Sequence, residues 1–383
     1  MKPRSPAWAI ICPVLSTPGN NAYDMTQVIN RISRTPKMFK KIAVLGAGAI
    51  GSSIGADLTE AGHDVVLIDQ WPAHVEAMKK DGLRVAMPGL EIHVPVRACH
   101  LCDVGALNTV FDLVLLAAKS GDSLWLTEFI RPYLAPEGVL VSVQNSLNDE
   151  WIAPVIGTTR DIGCVVELSA EVFTPGVVQR NTDRKRTWLA FGELDGSITP
   201  RVHALEALLK CAATTAVTGN IRGAKWTKLV TNSMTQGPIG MLGMKSSEAG
   251  QLDELFKLSM HAGRETIAVG NALGYTMEAI FGMSAAEFMG STDETLQNIL
   301  RTIISHVGAS RNAVVQDHAK GRRSEVDYIN GLVARKGRQA GVPVPYNTAI
   351  TEVNRLIESG AIKPALSNIA RVHELVKQGA APC

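Results

Sequence analysis

Three glycines and a carboxylate carry the clearest chemistry in this sequence. Gly46, Gly48 and Gly51 form G-x-G-x-x-G within GAGAIG at 46–51. The first glycine permits a tight turn, the second lets the backbone approach a pyrophosphate, and the third lets a helix pack on a strand. A helix opening at Ala49 and Ile50 would turn free N–H groups and a positive dipole end toward the phosphates. Asp69 follows Gly46 by 23 residues, close to where a ribose-binding acid belongs. The chemistry implied is the holding of a dinucleotide.

Two further stretches carry polar residues at suggestive spacing. In GAKWTKLVTNSMTQGPIGMLG at 223–243, Lys228, Asn232 and Gln236 recur every fourth residue. On a helix that stacks a cation and two amides along one face. The ladder suits a helix lining a cleft, although spacing alone more often means a solvated stripe. In GRRSEVDYING at 321–331, Ser324 can cap a helix and Glu325 falls in its first turn. By itself Glu325 reads as an acid complementing the helix dipole.

The elements that must position these residues follow from pattern. Residues 41–69 read as strand, glycine turn, helix, strand, with Ile42, Val44 and Leu45 forming the apolar run of a parallel strand buried on both faces. A helix over 72–81, extended structure over 83–96, an apolar strand at 111–118, a helix at 122–134 and a strand at 139–144 come next. Strands over 161–180 and 187–191 would extend the same sheet. Strands alternating with helices predict a doubly wound parallel sheet, which binds ligands beyond the carboxyl ends of its strands. Gly46, Asp69, Lys119 and Asn145 all fall at such ends. After about residue 200 nearly everything reads as helix: 201–211, 222–236, 247–273, 284–303, 322–340 and 347–358. The fold class expected is α/β, with a Rossmann-like dinucleotide-binding domain over 38–198 and an all-helical domain over 199–375. Residues 1–37 fit neither. Met38 is expected to be the natural start, with the upstream segment a disordered extension or a start-site artefact.

At 383 residues the chain can bury two cores. A formal charge of +2 gives no reason to expect nucleic acid, and no apolar stretch is long enough for a bilayer. The six cysteines include a lone C-x-x-C at 99–102 without a second pair at zinc spacing. They read as free thiols in a reducing compartment, which predicts a cytoplasmic protein without a metal.

Together these stretches resemble the ketopantoate reductase (2-dehydropantoate 2-reductase) family. The resemblance runs from about residue 38 to 355. It rests on GAGAIG, on Lys119 and Gln144-Asn145 at strand ends, on WTKLVTN at 226–232 and on GRRSEVDYING, with VPVPYNT at 342–348 in support. It implies a C-terminal domain like that of 6-phosphogluconate dehydrogenase and an active site between the domains. It implies Lys228 as general acid and Glu325 as the carboxylate holding that lysine. Lys119 and Asn145 would lie beside the nicotinamide ribose and the reacting carbon, and Asn232 would bind substrate. The implied reaction is NAD(P)H-dependent reduction of a small 2-oxo acid to a 2-hydroxy acid, a step of pantothenate biosynthesis in that family, by a chain that could act as a homodimer.

The departures from the family pattern bear on substrate and cofactor. Ser146 stands where a glycine is usual. Gln236 replaces a second substrate-contacting asparagine, and Ala313 a substrate-binding serine, with Ser310 and Asn312 out of register. Losing one such hydroxyl weakens a polar substrate by about 1–3 kcal/mol, which points to a 2-oxo acid other than ketopantoate, with ketopantoate retained as an option. Asp69-Gln70-Trp71 occupies the place where NADP-preferring members carry an arginine. A carboxylate there accepts from both ribose hydroxyls and repels a 2′-phosphate, so NADH is favoured. His74 and Lys79 are the nearby cations that could reverse this. The competing readings are a non-catalytic dinucleotide-binding protein and a dehydrogenase acting on a different hydroxy or oxo compound.

Overall fold

The computed structural model describes residues 38–280, 284–289 and 292–379. The segment 1–37 lies outside the described residues, as do Cys12 and Cys383. In chain order the first half contains β1 (Lys41–Leu45), α1 (Ala49–Glu60), β2 (Asp64–Asp69), α2 (Pro72–Asp81), β3 (Leu83–Met87), β4 (Leu90–Val94), β5 (Arg97–His100), β6 (Phe111–Leu116), α3 (Ser123–Ile130), β7 (Leu134–Ser142), α4 (Asp149–Ile156), β8 (Asp161–Glu167), β9 (Ala170–Thr174), β10 (Val177–Arg180), β11 (Trp188–Glu193), α5 (Pro200–Leu209) and β12 (Thr214–Val217). The second half contains α6 (Ile221–Gly240), α7 (Ser246–Ala249), α8 (Asp253–Ala272), α9 (Ala285–Met289), α10 (Asp293–Val307), α11 (Ala313–Ala319), α12 (Asn330–Ala340), α13 (Pro345–Glu358) and α14 (Asn368–Lys377).

The main sheet has eight strands in the order β12-β11-β8-β7-β6-β1-β2-β5. All its pairings are parallel except β8 with β11. β1 shows why its sequence is apolar throughout. Ile42 and Val44 enter the core on one face, while Ala43 and Leu45 enter the core on the other. The expected α/β architecture with a helical C-terminal part is therefore present.

Three expectations are corrected here. β9 and β10 do not extend the main sheet. They join β3 and β4 in a separate four-stranded sheet, order β4-β3-β10-β9. A strand's own pattern marks it as a strand but does not choose its neighbour. The sheet also runs past the expected boundary at 198: β12 pairs in parallel with β11, and α5 packs beside both. The turn between Val217 and Ile221 separates the sheet from the helices. The expected helix at 322–340 is interrupted, with a single 3-10 turn at Val326–Tyr328 before α12.

The helical part is built around α6, which is buried along almost its whole length. Asn220 caps it by accepting the Gly223 N–H at 3.1 Å. Trp226, Leu229, Val230 and Met234 fill the core, and Trp226 stacks on Tyr275 with ring centroids 4.6 Å apart. Threonines on the helix satisfy themselves locally: the Thr227 and Thr235 hydroxyls donate to the carbonyls of Gly223 and Thr231. No helix among the described residues is long and apolar enough to cross a membrane.

Candidate active site

The carboxyl ends of the parallel strands and the polar face of α6 wall one cleft of about 500 Å³. At one end lies the glycine turn. Gly46 has φ +93°, and a Cβ there would meet the Ala118 backbone nitrogen at 2.6 Å. A Cβ on Gly51 would lie 2.1 Å from the Gly46 carbonyl oxygen. Both glycines are therefore required by the fold itself. Gly48 differs: a Cβ there meets nothing within 4 Å, and the residue lines the cleft with Ala49 and Ile50. It is the N-cap of α1 and offers no side chain to the first-turn amides. A close-approach glycine at an uncapped helix N-terminus fits a pyrophosphate.

Asp69 ends β2 beside this turn, and its carboxylate accepts the Trp71 N–H at 2.7 Å. Burial raises its pKa, against backbone N–H groups and nearby cations that lower it. Neither cation singled out from the sequence serves this end. Nδ1 of His74 accepts the Gly176 N–H at 2.9 Å, so the ring proton sits on Nε2, which faces the Ala47 carbonyl at 2.9 Å. Burial lowers the His74 pKa, and the neutral ring is a structural pin. Lys79 pairs with Glu76 on the surface. A cation that does reach this end of the cleft is Arg322, from the turn after α11, whose guanidinium lies 5.7 Å from the Trp71 ring centre. Its separation in sequence hid it.

Midway along the cleft stands Lys119. Its Nζ lies 2.8 Å from Asp317 and 3.3 Å from Glu325. Glu325 also accepts the Ser120 N–H at 3.0 Å and the Ser120 hydroxyl at 2.8 Å. Burial opposes charge on Glu325, but Lys119 and Ser120 outweigh it and hold the carboxyl below its ordinary pKa. Burial likewise works against the Lys119 ammonium, and the two carboxylates overcome it and raise its pKa. Asp317 has a weaker hold on its charge. Burial and the neighbouring Glu325 push it up to about 6, with Lys119 pulling the other way.

Lys228, Asn232 and Gln236 do share one face of α6, and all three line the cleft rather than bulk solvent. The Asn232 amide donates to Asn145 at 3.0 Å, tying the helix to the end of β7. Gln236 accepts the Ala313 N–H at 3.1 Å. Among the described ion pairs, Lys228 and Glu325 are not joined as the resemblance implied. The carboxylate on Lys228 is Glu167, the last residue of β8. Glu325 faces the sheet side, where Lys119 and Ser120 take its oxygens. Ser146, at φ +74°, donates its hydroxyl to the Tyr328 carbonyl, a link between the two parts that glycine could not make. Glu167, Ser120, Asp317 and Arg322 were not singled out from sequence. For Glu167 a signal existed, since it too ends a strand of the parallel sheet.

Among the described residues no group of three or more His, Cys, Asp or Glu side chains is placed to hold a metal. The fold and the cleft are those of a two-part protein with a dinucleotide-binding glycine turn. Residues 42–196 match the family model described as Ketopantoate reductase PanE/ApbA, and residues 220–358 match its C-terminal counterpart. A 2-dehydropantoate 2-reductase of Mesorhizobium japonicum is 29% identical over 339 residues, covering 82% of this chain and 97% of the relative. The structure of a PanE/ApbA family ketopantoate reductase from Ralstonia eutropha superposes with TM-score 0.70 at 28% identity, over 84% of this chain and 99% of that one. A ternary complex of D-mandelate dehydrogenase with NADH and anilino(oxo)acetate shares the fold, with TM-score 0.72 at 22% identity, over 84% of this chain and 99% of that one. The chain belongs to the ketopantoate reductase family.

Proposed function

We propose that this chain reduces 2-dehydropantoate, or a close 2-oxo acid, to the 2-hydroxy acid. The observation that carries this is the meeting, in one cleft, of the glycine turn from the sheet and Lys228 from α6. The relatives favour 2-dehydropantoate over the different 2-oxo acid that Gln236 and Ala313 suggested. When bound, the reduced nicotinamide supplies the hydride. The chain's own residues do the rest. The α1 N-terminus and Gly48 take the pyrophosphate, and Asp69 takes the adenosine ribose. Lys119, fixed by Asp317 and Glu325, and Asn145 bracket the nicotinamide ribose and the reacting carbon. Lys228 donates a proton to the carbonyl oxygen as negative charge develops on it. Asn232 and Gln236 orient the substrate, and the domain walls exclude bulk water.

NADH is the proposed cofactor: the Asp69 carboxylate would accept from the ribose hydroxyls and repel a 2′-phosphate, and Arg322 beside Trp71 would moderate the preference. We place the enzyme in the cytoplasm, on the strength of its free thiols. A homodimer is proposed from the exposed Leu124 and Trp125 on α3, and sedimentation as a monomer at micromolar concentration removes it. The test of function is a panel of 2-oxo acids including 2-dehydropantoate, with NADH and NADPH, following loss of nicotinamide absorbance. Turnover of 2-dehydropantoate above the rest is expected. No turnover of any 2-oxo acid ends this reading.

A further inference from the structure

Two of the lysines that line the cleft are paired reciprocally across the molecule. Lys119, from the sheet, is held by Asp317 and Glu325 from the helical part. Lys228, from the helical part, is held by Glu167 from the sheet. β8 explains the position of Glu167. All seven of its residues are buried, and Glu167 is its last, opposite Trp188 of β11. Its side chain turns into the cleft with only 9% of its surface exposed, against 11% for Lys228. A buried carboxylate needs a partner, and one that touches a buried ammonium fixes that ammonium's place. A long, flexible lysine side chain loses rotamer freedom when held, so an anchor outside the substrate leaves less ordering to be done on binding. The other charges along this cleft have different contacts: Arg311 reaches Glu171, Lys320 lies over the Phe173 ring, and Glu325 serves Ser120 and Lys119.

We propose that Glu167 is the positioning residue for Lys228, holding its ammonium against the reacting carbonyl; this rests on the reduction proposed above. Glu167 touches neither hydride nor carbonyl in this scheme. Its effect passes through Lys228 alone.

The experiment compares Glu167→Gln and Glu167→Asp with wild type. The Gln variant keeps the size and loses the charge, and the Asp variant keeps the charge on a shorter arm. Misplacing a catalytic group by about 1 Å can cost about 100-fold. For Glu167→Gln, kcat should fall about 10- to 100-fold, with the oxo-acid KM and the NADH dissociation constant changed less than about threefold. Glu167→Asp should recover part of the loss, and the solvent deuterium isotope effect on kcat should grow in the Gln variant. Unchanged kcat overturns the proposal. So does a loss of cofactor affinity equal to the loss of kcat, which is what a merely structural role would give. Labelling of Lys228 by an amine-acylating reagent, read by mass spectrometry, needs no substrate and separates the two hypotheses. If wild type turns over no 2-oxo acid yet Lys228 labels faster in Glu167→Gln, the function fails and the anchoring stands. Equal labelling rates in the two proteins remove the anchoring.

Discussion

Replacing Gly48 by alanine should separate binding from folding in one residue. Gly48 has φ −69°, which any residue adopts, and the added Cβ meets no heavy atom within 4 Å. Two small terms act on stability. Alanine is a poorer N-cap than glycine, by about 0.5–1 kcal/mol. It also restricts the unfolded chain, a gain of about 0.4–1 kcal/mol. They offset, so the melting temperature should move by no more than about 2 °C. Binding should respond differently, because the methyl group enters the space that a pyrophosphate needs. A rise of about 10- to 100-fold in the NADH dissociation constant is expected, equivalent to about 1.4–2.7 kcal/mol. Gly51→Ala is the converse control. Its Cβ would lie 2.1 Å from the Gly46 carbonyl oxygen and 3.0 Å from Val44 Cγ1. Overpacking of that kind costs about 1–3 kcal/mol or more, and the melting temperature should drop. Calorimetric titration with NADH and thermal melts of both variants give the four numbers. Wild-type affinity in Gly48→Ala would refute the placement of the phosphates.

Two further predictions concern ionisation. Asp317 titrates near pH 6, so acidification through that range removes one of the two carboxylates on Lys119. The apparent affinity for NADH should inflect near pH 6, and Asp317→Asn should abolish the inflection. Glu265 caps α13 by accepting the Tyr346 and Asn347 N–H groups, yet burial pushes its pKa up to about 7. A carboxyl raised in the folded state binds its proton more tightly there than in the unfolded chain, so stability is lost as pH rises from the unfolded value of 4.5 to about 7. The loss should be roughly 3 kcal/mol at most. Melts of Glu265→Gln at pH 5 and pH 8 should lack that dependence, and an unchanged dependence would move its origin elsewhere.

How much of this was legible in the sequence depends on the range over which each feature is determined. The first strand, turn and helix were plain because Gly46, Gly48 and Gly51 act within one turn of chain. Lys119 and Asn145 could be placed because a parallel sheet puts its strand ends on one edge. The face of α6 was legible as a periodicity, but its setting was not: only the packing of Trp226, Leu229 and Val230 inward decides that Lys228 meets a cleft and not solvent. The partners of the lysines were hidden. Glu167 and Lys228, or Lys119 and Glu325, are joined by tertiary geometry that no local pattern encodes. β12 was missed for a related reason. Thr214–Val217 is a four-residue strand beside a helix, and its pairing with β11 is what makes it one.

The most direct measurement is the turnover of Lys228→Ala beside its NADH affinity. Lys228 stands on α6, across the cleft from the glycine turn. Loss of a proton donor aimed at the carbonyl should lower kcat by about 100- to 10,000-fold, while the NADH dissociation constant stays within about twofold of wild type. Turnover within a few-fold of wild type would mean that another group protonates the product, and the role given to α6 would be wrong.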